Sequence, residues 1–348
     1  MASELTCCYL GMELNSPVIV GSCPLTMDLE TVRQLVDAGA GAIVLPSMLQ
    51  EQIVHAQLMQ TRSEHAIERS GYQPQQDKYN GGTKRYLKTI EALSARESVP
   101  IIASMDGIGD GDWIDYAKEI EASGANALEF NWHPTISSPN ESAEEIEERV
   151  CVIVRRLCAT VSIPVAVKLS QRYTNLALMA HKLQNAGADG VILFTHLPQW
   201  DVSVDRMHWT IRWELSPIHS LGVILEGIVR TRAGEIDLQI AASGGVRTAE
   251  DAIKTMIAGA DVVMVTSEVY REGPDAIRNI VQGISKFLDT GPYESLADFL
   301  HSRPSVKLGP EHLMRLQFTD PLTRSEHYFD PTPVVASETG DVFGHKHS

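Results

Sequence analysis

The sequence predicts a closed (β/α)8 barrel forming a single domain, and three observations predict it. First, one phrase recurs at the ends of helical patterns: DAGAGAIVLPS from Asp37, ASGANALEFN from Ala122, NAGADGVILFT from Asn185 and AGADVVMVTS from Ala258. In each, a glycine (Gly39, Gly124, Gly187 or Gly259) stands where a helix needs a left-handed residue to close its last carbonyls, and a short apolar run follows. Second, the phrases SVPIIASM from Ser98 and SIPVAVKLS from Ser162 alternate with the first, each with a proline opening an apolar strand. Third, amphipathic helical patterns with acidic first turns fill the intervals.

In order, the apolar strands begin near Pro17, Gly41, Val99, Ala125, Pro164, Gly190, Leu238 and Asp261. Helical patterns between them include DLETVRQLVDAG from Asp28, WIDYAKEIEASG from Trp113, SAEEIEERVCVIVRRLCATV from Ser142 and TAEDAIKTMIAG from Thr248. Near-continuous apolar strands alternating with such helices imply a parallel sheet covered on its outer side. Eight units match a closed barrel; a doubly wound open sheet is the competing arrangement. The connections Met48 to Gly82 and His196 to Ser216 are long and follow strand carboxyl ends, which makes them candidate lids or substrate walls. Residues 1–291 are read as the barrel and 292–348 as a partly irregular extension. The stretch from Thr319, rich in Pro, Ser, Thr, Asp and His, is expected to be poorly ordered.

A chain of 348 residues with 43% hydrophobic residues can bury a large core, and its net charge of −16 with no dense basic run argues against nucleic acid as a partner. The five cysteines (Cys7, Cys8, Cys23, Cys151, Cys158) contain no C-x-x-C pair, and their odd number suits reduced thiols in a cytoplasm. Cys151 and Cys158 read as buried small side chains in a helix. The amino terminus lacks a basic segment followed by an apolar one, and no apolar run reaches the roughly 18 residues of a membrane span, so a cytoplasmic protein without a membrane partner is expected. The histidines are scattered and no His/Asp/Glu constellation suggests a metal.

The segment from Ala241 to Pro274 carries the most chemistry. A strand ends at Ser243, Gly244 and Gly245 follow, a helix opens at Thr248, and the next strand ends at Thr266 and Ser267. Small residues ending the last two barrel strands let backbone N–H groups converge on a phosphate beside a helix terminus, whereas a lone Gly-Gly reads as a tight turn. Lys168 ends the apolar run VAVKLS. It supports an anionic cofactor or forms a Schiff base if it points into the barrel mouth, and is a surface lysine if the strand end frays. Small or polar groups also end other strands, at Gly21-Ser22-Cys23, Pro46-Ser47, Ala103-Ser104 and Glu129-Phe130-Asn131. Asn131 offers an amide to a heterocycle or caps a turn.

The phrases LNSPVIVGSCPLT from Leu14, the AGA repeats, VAVKLS and the segment from SGGV to GP together resemble the FMN-dependent dihydroorotate dehydrogenases, particularly the divergent dihydroorotate-dehydrogenase-like branch. The resemblance runs from about Leu14 to Gly291. It implies a (β/α)8 barrel with FMN over its carboxyl-terminal face, oxidising a C–C single bond beside a carbonyl while the flavin accepts a hydride, a chemistry of pyrimidine biosynthesis. It further implies that Gly244, Gly245, Thr266 and Ser267 hold the FMN phosphate and that Lys168 sits at the pyrimidine edge of the ring, where it stabilises the anionic reduced flavin. By the same resemblance Ser22 and Ser47 lie near the flavin, Asn131 reaches flavin and substrate, and Ser216 opens the helix after the sixth connection. A separate electron acceptor and a homodimer are the implied partners.

The departures are concentrated around the substrate. The family pattern N-L-S-C-P-N, whose Cys or Ser is the base, is here NWHPTISSPN, and an ungapped match places the base on Pro134, which cannot take a proton. His133, Thr135, Ser137 and Ser138 are the replacement candidates; His133 titrates nearest neutrality, and its other reading is a structural histidine before a proline. The family's substrate loop is replaced by GYQPQQDKYNGG, Pro46 stands for a lysine, and Phe194-Thr195-His196 stands for an asparagine pair. Losing those partners would leave the polar groups of orotate unpaired at about 1–3 kcal/mol each. The expectation is an FMN oxidoreductase acting on dihydroorotate or a related dihydropyrimidine. Two alternatives are a flavin-holding electron-transfer partner without its own base and a barrel lyase or aldolase using Lys168 as an imine-forming amine.

Overall fold

A computed structural model describes residues 5–61, 65–134, 136, 138–217 and 220–304. Eight parallel strands form the barrel: β1 (Val18–Val20), β2 (Ala42–Val44), β3 (Ile101–Asp106), β4 (Ala127–Trp132), β5 (Val165–Leu169), β6 (Gly190–Leu193), β7 (Gln239–Ser243) and β8 (Val262–Val265). Each pairs with its successor, and β8 pairs with β1 through Val263–Val18 and Val265–Val20, so the sheet closes and the open-sheet alternative falls away. The outer layer is α1 (Leu29–Asp37), α2 (Gly82–Arg96), α3 (Tyr116–Ala122), α4 (Ala143–Thr160), α5 (Leu176–Asn185), α6 (Leu221–Arg232), α7 (Ala249–Ala258) and α8 (Pro274–Thr290).

Local chemistry explains the joints. The glycines of the recurring phrase, Gly39, Gly124, Gly187 and Gly259, all have φ between 96° and 126°, a region closed to most side chains, and each turns its helix into the next strand. At the helix starts, Asp28 accepts from the Thr31 N–H, and Ser142 and Thr248 form capping boxes with Glu145 and Asp251. Cys151 is buried in α4, while Cys158 is half-exposed with its thiol against the Gly187 carbonyl.

Strand alternation divides the side chains into two sets. One set, including Val18, Ile43, Ile101, Leu128 and Val167, faces the helices. The other, Ile19, Val44, Ile102, Ala127, Ala166 and Ile192 among them, fills the barrel interior. Below it an antiparallel hairpin, Cys7–Tyr9 with Met12–Leu14, inserts Tyr9, Leu10 and Leu14 as an apolar plug. Gln239 of β7 holds the plug, accepting from the Leu10 N–H and donating to the Cys8 carbonyl. The lower barrel is therefore sealed, and above the plug the inward side chains turn polar toward the carboxyl ends of the strands.

Both long connections are structured at that end. Residues 48–82 hold a two-residue strand, Met48–Leu49, that extends the wall beside β3, then helices Gln50–Gln60, Ala66–Ser70 and Asp77–Asn80. The sixth connection is a hairpin, Gln199–Ser203 with His208–Arg212, in which Trp200 faces Ile211 and Val202 faces Trp209. These four side chains share one face, and all are exposed. Beyond α8, a short helix Leu296–His301 packs Leu296 and Phe299 onto the barrel, and Arg303 bonds the Ala260 carbonyl and Asp261. The stretch from Thr319 lies outside the described residues.

Candidate active site

The inward-facing positions that are apolar lower in the barrel become polar at its mouth. Pairing sets Ser104 opposite Glu129, Asp106 opposite Asn131, and Asn131 opposite Lys168, so β3, β4 and β5 project their polar side chains at matching heights. A cavity of about 560 Å³ opens above them, within the range of pockets that enclose small molecules. Its wall contains ten of the residues singled out from the sequence: Ser22, Ser47, Asn131, His133, Lys168, Ser216, Gly244, Gly245, Thr266 and Ser267.

Lys168 points inward, with a side chain only 9% exposed, and its Nζ lies 3.4 Å from Oε1 of the fully buried Glu129. A surface lysine at a frayed strand end is thereby excluded. Glu129 Oε1 also accepts from Ser104 Oγ at 3.2 Å, and Ser104 Oγ shares a 2.7 Å hydrogen bond with Ser47 Oγ. Glu129 Oε2 is buried without a hydrogen-bond partner. Imine chemistry needs a free amine, whereas this lysine is committed to a carboxylate. Tyr79, from the long second connection, lies over this chain, its phenol oxygen accepting from the Ser22 hydroxyl and the Ser47 backbone; burial pushes its pKa up. The hydroxyls of Ser22 and Ser47 thus already serve protein partners.

Another part of the wall is formed by the glycine turn after β7 and by two helix starts. Gly244 and Gly245 have φ of 102° and 71°, and a Cβ on Gly245 would fall 2.8 Å from both the Leu221 nitrogen and Ser220 Oγ, at the start of α6. A side chain at Gly245 would collide with that helix terminus, so the turn packs directly against it. Thr266 and Ser267 open the next short helix, Ser267–Glu272. Ser267 Oγ bonds the Ser216 nitrogen at 3.0 Å and Ser216 Oγ at 3.1 Å. Ser216 does not open the sixth barrel helix: α6 begins at Leu221 with Ser220 before it, and the Ser220 N–H bonds the Pro217 carbonyl ahead of the helix. Arg247 lines this part of the wall and is paired with Glu268 at 3.1 Å.

Beyond the strand ends, His133 Nε2 lies 2.9 Å from Asp106 Oδ2. Burial disfavours the charged ring, but the hydrogen bond and charge of Asp106 and the residue's own carbonyl outweigh it, so the His133 pKa is raised above its ordinary 6.5. Asn131 Oδ1 accepts from Thr195 Oγ1 at 2.6 Å, which leaves its Nδ2 as the group it offers to the cavity. His196 stacks edge-on against Trp213 and contacts the Glu214 carbonyl. Of the other replacement bases, Thr135 and Ser137 lie outside the described residues, and Ser138 is exposed and not on the cavity wall.

Sequence reasoning missed Glu129 as the partner of Lys168, Asp106 as the partner of His133, and Tyr79, Trp213 and Arg247 as wall residues. The first was accessible: an acid two residues before Asn131 in an apolar strand must share its inward face.

Comparison with known proteins agrees with this geometry. Residues 5–288 match the family described as Dihydroorotate dehydrogenase. A protein of Aeropyrum pernix with the provisional name dihydroorotate dehydrogenase A (fumarate) is 27% identical over 85% of this chain and 96% of its own length. The catalytic subunits of dihydroorotate dehydrogenase B (NAD(+)) from Thermoplasma acidophilum and Pyrococcus furiosus are 23% and 24% identical, covering 86% and 83% of this chain and 98% and 95% of theirs. Because the family match spans most of its length, the chain belongs to the dihydroorotate dehydrogenase family of oxidoreductases.

Proposed function

We propose that this chain holds FMN across its barrel mouth and oxidises a CH–CH bond beside a carbonyl in a dihydropyrimidine-like ring, passing the electrons to a separate acceptor. The observation that carries the reading is the glycine turn packed on the α6 terminus across the cavity from a buried lysine. A phosphate suits the first, since a glycine turn, the start of α6 and the small hydroxyl residues Thr266 and Ser267 meet there. An electron-rich ring fits beside the second, since a fixed ammonium stabilises negative charge there. When bound, FMN supplies the hydride acceptor.

The residues of the chain then divide the remaining work. Gly244, Gly245, Thr266 and Ser267 hold the phosphate, with Ser216 fixing Ser267. Asn131 orients the ring through Nδ2. Ser22 and Ser47 act through Tyr79, which they hold over the mouth. His133 takes the substrate proton, and Asp106 at Nε2 aligns the ring and stabilises its charged form. Five cysteines with no disulfide among them support a cytoplasmic location, and among the described residues no helix is long and apolar enough to cross a membrane.

The purified protein is expected to be yellow, with a flavin absorbance spectrum; a colourless protein that takes up no FMN overturns the reading. Gly245→Ala, whose new methyl meets Leu221 and Ser220 at a positive φ, is expected to weaken FMN binding by at least about tenfold, the scale of one or two lost hydrogen bonds. Equilibrium titration of the apoprotein with FMN checks this, with far-UV circular dichroism confirming the fold.

The exposed face of Trp200, Val202, Trp209 and Ile211 supports the homodimer that the resemblance implies, because a hairpin with one wholly apolar face is suited to meeting its copy about a twofold axis. Trp200→Ser with Trp209→Ser is expected to convert a dimer into a monomer in sedimentation velocity experiments.

A further inference from the structure

Among the described residues, two buried polar atoms without a hydrogen-bond partner lie inside the barrel, the Tyr9 hydroxyl and Glu129 Oε2. Both residues are fully buried. They come from different parts of the chain, Tyr9 from the plug that enters the barrel from below and Glu129 from β4. Burying either group without a partner costs free energy, and folded proteins satisfy most such groups with their own atoms or with ordered water.

Side-chain size sets how far the plug reaches. Tyr9 shares its buried cluster with Ala42, Ala127, Ala166 and Ala241, and a Cβ on Gly190 would fall 2.8 Å from Leu10 Cδ2. Five small inward residues, on β2, β4, β5, β6 and β7, thus leave the axis open for the plug. Glu129 is the next inward residue above Ala127, and Lys168 is the next above Ala166. The Glu129 carboxylate is close enough to act on the Tyr9 phenol, whose pKa is pushed up first by burial and then by Glu129 and Asp261. The two groups are complementary, since the phenol has a proton to give and the carboxylate oxygen accepts, yet no hydrogen bond joins them directly. A water both donates and accepts, so one molecule between them satisfies both.

We propose that one buried water bridges the Tyr9 hydroxyl and Glu129 Oε2, and that through it the amino-terminal hairpin is a positioning element for the Glu129 and Lys168 pair. A polar chain then runs from the sealed end of the barrel to the cavity. Water supplies a hydrogen bond and no charge, so the Lys168 ammonium remains the counter-charge of the carboxylate. The bond at Oε2 keeps Oε1 turned toward Lys168 and draws negative charge away from the ammonium. The effect on a flavin rests on the FMN reading, whereas the hydration site does not.

A high-resolution crystal structure of the full chain tests the site. An ordered water within hydrogen-bond distance of both atoms is expected; a dry gap, or a direct bond between Tyr9 and Glu129, overturns it. Tyr9→Phe tests the positioning role, because it keeps the ring that fills the axis and removes only the hydroxyl. In the flavin-loaded protein the two-electron midpoint potential is expected to fall by about 30 mV, a tenfold shift between oxidised and reduced flavin. The same substitution added to Glu129→Gln should leave the potential of that variant unchanged. A hydroxyl with a purely structural role would alter stability and not potential. An unchanged potential in Tyr9→Phe, or an equal fall in both backgrounds, therefore overturns the positioning role. A protein that takes up no flavin removes the FMN reading and the positioning role with it, and the hydration site stands or falls on the crystal structure.

Discussion

Replacing His133 with asparagine is expected to slow reduction of the flavin by substrate by about 10² to 10⁴-fold, the usual contribution of a positioned general base, while leaving flavin content unchanged. The side chain is about one-third exposed on the cavity wall and contributes little to the packed interior, so its loss falls on chemistry rather than folding. The pH profile carries a second, independent signature. Only the neutral ring can accept a proton, and its pKa lies above 6.5, so the rate should rise with pH through that raised value and fall below it. Asp106→Asn removes the hydrogen bond and the charge that raise the pKa and leaves the burial that lowers it. The acid limb should therefore move to lower pH, and the plateau should drop through loss of alignment. Stopped-flow reduction of the bound flavin across pH measures both effects. Wild-type reduction by His133→Asn, or an acid limb that stays put in Asp106→Asn, would sink the assignment.

The barrel was legible because its strands are buried on both faces. A run such as VILF or VVMV has no polar interruption, and a parallel ladder surrounded by helices is the arrangement that asks for this. That Gly244-Gly245 and Thr266-Ser267 would meet at one cavity was legible because they fall at the ends of consecutive strands. Lys168 and Asn131 stood out as polar residues ending apolar runs. Glu129 was concealed by its neighbours: in ALEFNW it reads as one more strand-end residue until alternation is used to place it inward with Asn131. Asp106 was hidden differently, since in MDGIGDGDW three aspartates alternate with turn glycines and nothing local separates the one that faces the cavity. Tyr79, Trp213 and Glu214 lie in connections whose paths are set by tertiary packing. The wall supplied by the connections is therefore the part that sequence spacing could not assemble, whereas the wall at the strand ends is written in the strands.

Lys168→Met is the substitution expected to cost most stability, and the reason is its partner rather than the lysine itself. Glu129 is fully buried, one of its oxygens has no hydrogen-bond partner, and its other oxygen has only Ser104 besides the ammonium. Removing the cation leaves a carboxylate stranded in the barrel axis, which destabilises a protein by about 3–5 kcal/mol, a large share of the roughly 5–15 kcal/mol that holds a typical domain folded. The double variant Lys168→Met with Glu129→Gln removes both charges and should recover most of that loss, because a neutral amide can remain hydrogen-bonded to Ser104. Denaturant unfolding of the wild type, both single variants and the double variant gives the coupling energy as a cycle. The catalytic effect should not be recovered in parallel. The fixed positive charge that Lys168 would hold beside a bound flavin is absent from the double variant as well as from Lys168→Met, so on the proposed reading flavin reduction should stay about 10² to 10³-fold slow in both, the scale of one preorganised donor at a developing anion. Stability that returns without rate separates the two duties of the lysine. A double variant that regains full rate would confine Lys168 to balancing Glu129, and a Lys168→Met protein as stable as the wild type would show that the buried carboxylate finds another partner.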